Sequence, residues 1–160
     1  MKEKNGEHPF GDIGQLILLC LFLVVWITDS FFLRKSTYLS EHFPVFIRLI
    51  ILALSFITAV YLFKSGHVVV QDDKRSDGIL STGAFFYVRH PLYLASILFY
   101  FGLSVSTASL LSFSVLVMIF VFYDYIASYE EKLLIKRFGE EYTRYKKRTG
   151  KWVPRILKGI

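Results

Sequence analysis

Two groups of polar side chains in an otherwise apolar chain have the types and spacing to bind a charged small molecule. The first group precedes the third apolar run and consists of His67, Gln71, Asp77, Arg89, His90 and Tyr93. The second group is an adjacent pair, Glu130 and Glu131, just after the last apolar run. Because neighbouring residues on a helix point about 100° apart, we expect one carboxylate to face inward and the other to face water.

Together the two groups carry the charges that an α-amino acid would require. The inward member of the Glu130–Glu131 pair can hold an ammonium group or another cation such as a sulfonium, and Arg89 or His90 can hold a carboxylate. The amino-acid end of S-adenosylmethionine has this combination. The residues alone leave an alternative open, in which Arg89 and His90 are anchors at a membrane interface and the two glutamates form a solvated helix face.

Pro91 directly follows Arg89 and His90 in the sequence RHP. Proline suits the first turn of a helix, because its fixed φ fits and its missing N–H is not needed there. We therefore expect a helix to begin at Pro91. Arg89 and His90 would then stand beside unpaired backbone N–H groups, where an anionic or carboxylate-bearing ligand can dock.

Other kinds of chemistry find little support in the sequence. His67 and His90 belong to no zinc-binding spacing, and no HExxH or GxGxxG occurs. The lone Cys20 is predicted to be a buried, unreactive thiol. Nucleic-acid binding is not expected, because the basic residues flank apolar runs. The net charge of +6 is explained instead by orientation in the membrane and by attraction to anionic lipids.

The elements that must position these residues are apolar helices. The chain has 160 residues, of which 54% are apolar, and the apolar residues are concentrated in runs at 13–32, 45–63, 92–103 and 110–126. Runs near 20 residues can cross a bilayer. We predict an all-α, polytopic membrane helix bundle with about four transmembrane helices. The third and fourth form a hairpin around a connection at 104–109, and the fourth continues to Phe138, stops at Gly139 and is followed by a cytoplasmic C-terminal helix.

The chain is predicted to be one integral-membrane domain, residues 1–160, with two N-terminal spans at 13–63 and a core at 64–160. Asp29 is expected either to reach the interface or to pair between helices. Arg48 is expected to extend to the lipid head groups, with pairing to Asp29 as the alternative. Within the polar link 64–76, residues 68–70 are predicted to be a short extended piece.

The distribution of basic residues predicts the orientation. With four spans and both termini in the cytoplasm, 16 of the 19 Lys and Arg residues lie on the cytoplasmic side. This orientation brings both polar groups to the same face of the membrane.

Two segments resemble the isoprenylcysteine carboxyl methyltransferase family, within the wider group of integral-membrane methyltransferases that includes phospholipid methyltransferases. They are GHVVVQDDKRSDGILSTGAFFYVRHPLY at 66–93 and EEKLLIKRFGEEYTRYKKR at 130–148. The resemblance implies S-adenosylmethionine bound on the cytoplasmic side and catalytic positions at Arg89, Glu130 and Glu131. The cofactor contacts that it implies fall on Gln71, Asp77, Gly78, Ile79, Leu80, Phe85, His90, Pro91, Leu92, Tyr93 and Glu130.

The resemblance also implies a methyl acceptor that is a lipophilic small molecule or a prenylated protein, reaching the site from the bilayer between the third and fourth helices. The expected reaction is O-methylation of an isoprenylcysteine carboxylate or an analogue. A phospholipid amine or a thiol is an alternative acceptor, because Tyr125 and Ile126 stand where prenylcysteine-specific members carry an arginine. The sequence also leaves open a membrane reductase and a structural membrane protein.

Overall fold

The computed structural model describes residues 11–73 and 78–155, and these residues form a bundle of helices. The helices are α1 (Gly11–Ile27), α2 (Val45–Asp73), the short α3 (Ala84–Tyr87), α4 (Pro91–Thr107), α5 (Leu110–Phe138) and α6 (Glu140–Arg148). A π-helix, Thr28–Leu33, extends α1, and a 3-10 turn, Tyr38–Glu41, precedes α2. Within the described residues the one β-contact is an isolated bridge between Val88 and Gly150. The prediction of an all-α membrane bundle is confirmed.

Three segments are long and apolar enough to cross a membrane, and a shorter apolar helix lies among them. The long ones are Ile13–Leu33, Val45–Val70 and Leu110–Phe138, and the shorter one is α4. Many large apolar side chains of α1 and α2 are exposed, among them Leu16, Val24 and Ile57. An aliphatic outer surface of this kind is stable only in lipid. The chain is an integral membrane protein.

Helices α2 and α4 pack closely because small residues meet at their interface. Ser55 and Ala59 on α2 and Ala95 on α4 are buried there. Gly102 lets the backbones approach, since a Cβ atom at this position would lie 3.1 Å from the Cβ of Ser55. In a bilayer, where lipid competes equally well for apolar side chains, such close backbone contact is a main source of helix association.

A second contact zone joins α1, α4 and α5 around a buried aromatic cluster. The rings of Phe22 and Tyr100 lie 4.7 Å apart, and both pack with Leu116, Ile119 and Tyr123. This cluster fixes α5 against α4 along most of the length of α4. The ends of α4 and α5 that carry the predicted site residues are thereby held in register.

The end of the bundle near the α4–α5 turn is closed by a buried carboxylate. Asp29 is 1% exposed and accepts hydrogen bonds from the hydroxyls of Ser36 and Ser109, the latter at 2.6 Å. Arg48 donates instead to the carbonyl of Ser106 at 2.7 Å. Asp29 therefore has the predicted interhelical role, whereas its predicted alternative partner, Arg48, binds backbone.

Several sequence-based expectations need correction. Residues 68–70 are not extended, because α2 continues without interruption to Asp73, past the predicted end at Phe63. Helical hydrogen bonding of the backbone outweighs the β preference of three successive valines here. Cys20 is exposed on the surface of α1 rather than buried. The connection between α4 and α5 is shorter than predicted, since α4 runs to Thr107 and only Ala108 and Ser109 separate the two helices.

Candidate functional site

The start of α4 lies where the sequence predicted it, at Pro91. The two residues before it are buried, Arg89 at 8% and His90 at 6% exposure. The backbone N–H of Arg89 donates to the carbonyl of Gly150 at 2.9 Å. The Arg-His pair is therefore covered by the C-terminal part of the chain and does not stand at an open helix end.

Arg89 forms a buried ion pair with Glu131 of α5. The Nε atom of Arg89 lies 2.8 Å from Oε1 of Glu131. The Nη1 atom of Arg89 donates to the carbonyls of Lys146, at 3.2 Å, and of Thr149. Three of the five N–H groups that a guanidinium offers can be satisfied by these partners. Arg89 thus joins the start of α4 to the end of α5 and to the C-terminal segment.

The other oxygen of the Glu131 carboxylate is also paired. Its Oε2 atom lies 2.8 Å from Nζ of Lys146, whose side chain is 42% exposed. The sequence predicted that one of the two glutamates faces inward, and in the structure this is Glu131. The ammonium group that it holds comes from α6 of the same chain.

His90 lies between the two glutamates. Its Nε2 atom is 3.3 Å from Oε1 of Glu131, and its Nδ1 atom is 3.7 Å from Oε2 of Glu130. Burial lowers the pKa of His90 below its usual value, and the neighbouring carboxylate of Glu131 opposes this shift only in part. The neutral imidazole is therefore the favoured form near neutral pH. A neutral imidazole can form a hydrogen bond with a ligand without adding a positive charge to the site.

Glu130 is held from the other side by a tyrosine. The hydroxyl of Tyr93 donates to Oε1 of Glu130 at 2.5 Å. The Tyr93 ring stacks on the His90 ring at 5.8 Å and 8°, and on the Tyr123 ring at 5.1 Å and 15°. The side chain of Glu130 is 16% exposed, so it is neither fully buried nor in open water. The result is a carboxylate beside an aromatic wall, a setting that attracts a cation.

Helix α6 docks on this cluster through two buried tyrosines, Tyr142 and Tyr145. The Tyr145 hydroxyl donates to the carbonyl of Phe85 at 2.6 Å. Burial raises the pKa of both phenols, so they stay protonated and Tyr145 keeps its donor. Gly139, with φ of 56°, provides the turn that separates α5 from α6 and confirms the predicted stop.

The structure therefore brings five predicted site residues together: Arg89, His90, Tyr93, Glu130 and Glu131. Pro91 is buried at the start of α4, and Leu92 packs against Gly66 of α2. The remaining described positions lie apart along the chain. Gly78, Ile79 and Leu80 lie in the segment before α3, Phe85 lies within α3, and His67 is exposed on α2, stacked on Phe63 at 5.8 Å.

Two predicted contacts have no described side chain. Asp77 lies outside the described residues, and Gln71 is described only as part of the α2 backbone. Their roles remain predictions, as do the catalytic assignments of Arg89, Glu130 and Glu131.

Sequence reasoning missed the C-terminal partners of the cluster. Lys146, Thr149, Gly150 and Trp152 all contact or cover Arg89 and His90. One signal was present, since Tyr142 and Tyr145 are spaced to share one face of a basic helix. An amphipathic helix of this kind must dock its aromatic face on another part of the chain.

Comparison with known proteins identifies the family of the chain. Residues 45–141 match the phospholipid methyltransferase family. The chain is 30% identical to the protein-S-isoprenylcysteine O-methyltransferase of Saccharomyces cerevisiae over 115 residues, which cover 68% of this chain and 47% of that protein. It is 28% identical to the methanethiol S-methyltransferase of Crocosphaera subtropica, over 94% of this chain and 54% of that protein.

A shorter match, 38% identical over 68 residues, is to methanethiol S-methyltransferase 1 of Bradyrhizobium diazoefficiens and covers 42% of this chain and 23% of that protein. The chain thus spans about half the length, or less, of these curated relatives. No solved structure matches it significantly. The family match covers more than half of the chain and includes Arg89, His90, Tyr93, Glu130 and Glu131. This protein therefore belongs to the phospholipid methyltransferase family.

Proposed function

We propose that this protein transfers a methyl group from S-adenosylmethionine to a lipophilic acceptor at the boundary of the membrane. One observation carries the proposal. Tyr93 of α4 and Glu130 of α5 meet at 2.5 Å beside the neutral His90, and the Glu130 side chain is 16% exposed. Family membership supports the reaction class.

The side chains present suit the proposed cofactor. When bound, S-adenosylmethionine supplies a methyl group already activated on a positively charged sulfonium. Glu130 can accept from several donors at once, so it can keep Tyr93 and also attract a cation. His90 adds a hydrogen-bonding nitrogen without adding charge. Glu131 is already held by Arg89 and Lys146, and its contact with His90 helps to position the imidazole.

The chain's own residues have simple tasks in such a reaction. Proximity and orientation account for most of the rate, because the donor is already activated. Partial burial beside Tyr93 and His90 limits the contact of the Glu130 carboxylate with water, which strengthens its electrostatic field. Glu130 would accept a proton if the acceptor is an amine or a thiol, whereas a carboxylate acceptor needs no base.

The proposed acceptor is lipophilic because an apolar groove adjoins the site. Its volume is about 390 Å³, and it lies between α2 and α4. Val88, which lines the groove, immediately precedes Arg89. The groove is lined by Thr58, Tyr61, Leu62, Tyr87, Val88, Leu94 and Pro154. An alkyl or prenyl chain suits this lining. Entry of the acceptor between the third and fourth helices, α4 and α5, stays a prediction. The groove supports entry of the acceptor along the other face of α4, between α2 and α4.

The polar end of the acceptor is proposed to be a carboxylate or a thiol. The names of the yeast and cyanobacterial relatives support both groups. A panel of a farnesylcysteine analogue, methanethiol, dodecanethiol and phosphatidylethanolamine vesicles, each with labelled S-adenosylmethionine, decides between them. Label in phosphatidylethanolamine alone would reject the carboxylate and the thiol.

Cofactor binding tests the proposal most directly. We expect purified protein in detergent to bind S-adenosylmethionine, and Glu130→Gln to weaken binding by about tenfold or more, as loss of one charged contact does. Glu140→Gln, which changes an exposed carboxylate on α6, is the matched control and should bind normally. Absence of binding by the wild type, or equal binding by Glu130→Gln and the control, would refute the proposal.

The proposed orientation places both termini and the site in the cytoplasm. The asymmetry of Lys and Arg residues supports it. Reporter fusions at the C-terminus test it, and a signal from the opposite compartment would contradict it.

A further inference from the structure

The C-terminal segment 149–153 crosses over the Arg89–His90 corner and is tied there by backbone contacts. The Arg89 N–H donates to the Gly150 carbonyl at 2.9 Å, and Val88 and Gly150 form a β-bridge. Gly150 cannot carry a side chain in this turn, because a Cβ atom would collide with the Val153 carbonyl. These contacts therefore fix the position of the first half of the segment, around Gly150, over the site.

Its second half is held by one carboxylate of α5. The Oδ1 atom of Asp124 accepts from Nζ of Lys151 at 2.5 Å and from Nε1 of Trp152 at 2.8 Å. Lys151 also donates to the Ser128 hydroxyl at 2.8 Å and to the Asp124 carbonyl at 3.1 Å. The Asp124 side chain is 44% exposed, so its ion pair contributes little to overall stability. What it does determine is where the indole lies.

The Trp152 indole lies against His90, with ring centres 5.9 Å apart and an interplanar angle of 43°. Phe120 supports the indole at 5.7 Å. His90 also stacks on Tyr93, so its imidazole contacts an aromatic ring from the C-terminal segment and another from α4. The indole that makes this contact is held by its hydrogen bond to Asp124 and by Phe120.

We propose that Asp124 is a positioning residue for the reaction proposed above, acting through Trp152 to fix the His90 ring and to form one wall of the site. The expected effect of Asp124 on the reaction rate rests on the proposed function. The expected effect of Asp124 on the position of the Trp152 indole does not. The effect of Asp124 is the orientation of the two rings.

The chain has only two tryptophans, Trp26 and Trp152, which permits a direct test of the geometry. In full-length Trp26→Phe protein, Trp152 is the single source of tryptophan emission. Because the pKa of His90 is lowered, its protonation should quench that emission only as the pH falls below 6.5. The pH at which His90 is protonated also depends on the other groups that face it, which are Arg89, Tyr93, Glu130, Glu131 and Lys151.

In this background Asp124→Ala should shift the emission to longer wavelength and remove the pH-dependent quenching. Asp124→Asn keeps an acceptor for the indole N–H and should preserve the quenching at least in part. His90→Gln is the control that removes the quencher itself. Unchanged emission and quenching in Asp124→Ala would overturn the proposal, and so would equal loss in the Ala and Asn variants.

Kinetics test the second half of the proposal. With labelled S-adenosylmethionine and the best acceptor of the panel, Asp124→Ala should lower kcat about tenfold, as small displacements near a reacting centre do, with the KM for the cofactor nearly unchanged. Trp152→Phe should lower kcat similarly, and adding Asp124→Ala to it should have no further effect. Additive losses would overturn the coupling. Absence of activity in the parent protein would refute the proposed function, while the fluorescence result would still decide the geometry.

Discussion

The Nε atom of Arg89 lies 2.8 Å from the Glu131 carboxylate, and both side chains are almost fully buried. The two residues are 42 positions apart and belong to the beginning of α4 and the later part of α5. Their pairing closes the α4–α5 hairpin at the end remote from its turn. The second oxygen of the buried Glu131 carboxylate also needs a partner, and Lys146 of α6 provides it. The position of Glu131 therefore influences where α6 docks.

Loss of one member of the Arg89–Glu131 pair should destabilise the protein strongly. Arg89→Ala leaves the Glu131 charge with the half-exposed Lys146 and the neutral His90, and breaking a buried pair typically costs about 3–5 kcal/mol. Lys146→Ala is the control and should cost less than about 1 kcal/mol, because Lys146 is 42% exposed. Thermal unfolding in detergent measures both, and equal melting temperatures would show that the pair is not structural.

Stability should decrease in mild acid because of His90. Burial lowers its pKa in the folded protein below the value of 6.5 expected for the unfolded chain. The unfolded chain therefore binds more protons in the window between those two values. The contribution is fully present above pH 6.5 and is lost as the pH falls through the folded pKa, by at most about 1.4 kcal/mol per pH unit.

The comparison of two variants isolates this contribution. His90→Gln should have a shallower dependence of unfolding free energy on pH between 7 and 5 than the wild type. Val117→Ala, at an exposed apolar position of α5, removes no titratable group and should keep the wild-type slope. Equal slopes for wild type and His90→Gln would contradict the assignment.

The close contact of α2 and α4 predicts different responses at two glycines. Gly102→Val should destabilise the bundle by about 1–3 kcal/mol, because even a Cβ atom there is 3.1 Å from Ser55 and 3.3 Å from Leu52. Gly78→Ala should be near neutral for stability, because its Cβ would meet no atom within 4 Å. Unfolding in detergent checks both, and a neutral Gly102→Val would mean that the helices can separate without cost.

Filling the apolar groove should discriminate between acceptors by length. Leu94→Trp occupies space between α2 and α4 and should raise the KM for dodecanethiol about tenfold or more, with little effect on methanethiol. Val117→Trp, at an exposed position of α5, is the matched control and should change neither KM. A parallel rise for both thiols in Leu94→Trp would indicate a distorted site rather than a filled groove.

Local physical chemistry was enough to predict the main helices, although not the short α3 or the full lengths of α2 and α4. The length of the apolar runs determined the spans, Pro91 determined where α4 begins, and Gly139 determined where α5 ends, because each acts through backbone geometry within one turn. Periodicity predicted one inward carboxylate in the Glu130–Glu131 pair, which is Glu131, but Glu130 lies beside His90 and Tyr93 and does not face open water as expected. The boundary of α2 was wrong because the polar composition of residues 64–73 indicates solvent, whereas a helix can continue into solvent once it has been nucleated.

Tertiary structure alone decided which charges are partners. The sequence placed Arg89 and Glu131 on one face of the membrane as two groups for a ligand, but the folded chain pairs them with each other and adds Lys146. It also brings Asp124 and Trp152 together across 28 positions, a contact that no local pattern encodes. Spacing fixes the direction of a side chain on its own helix, whereas its partner depends on how helices pack, and that is a property of the whole chain.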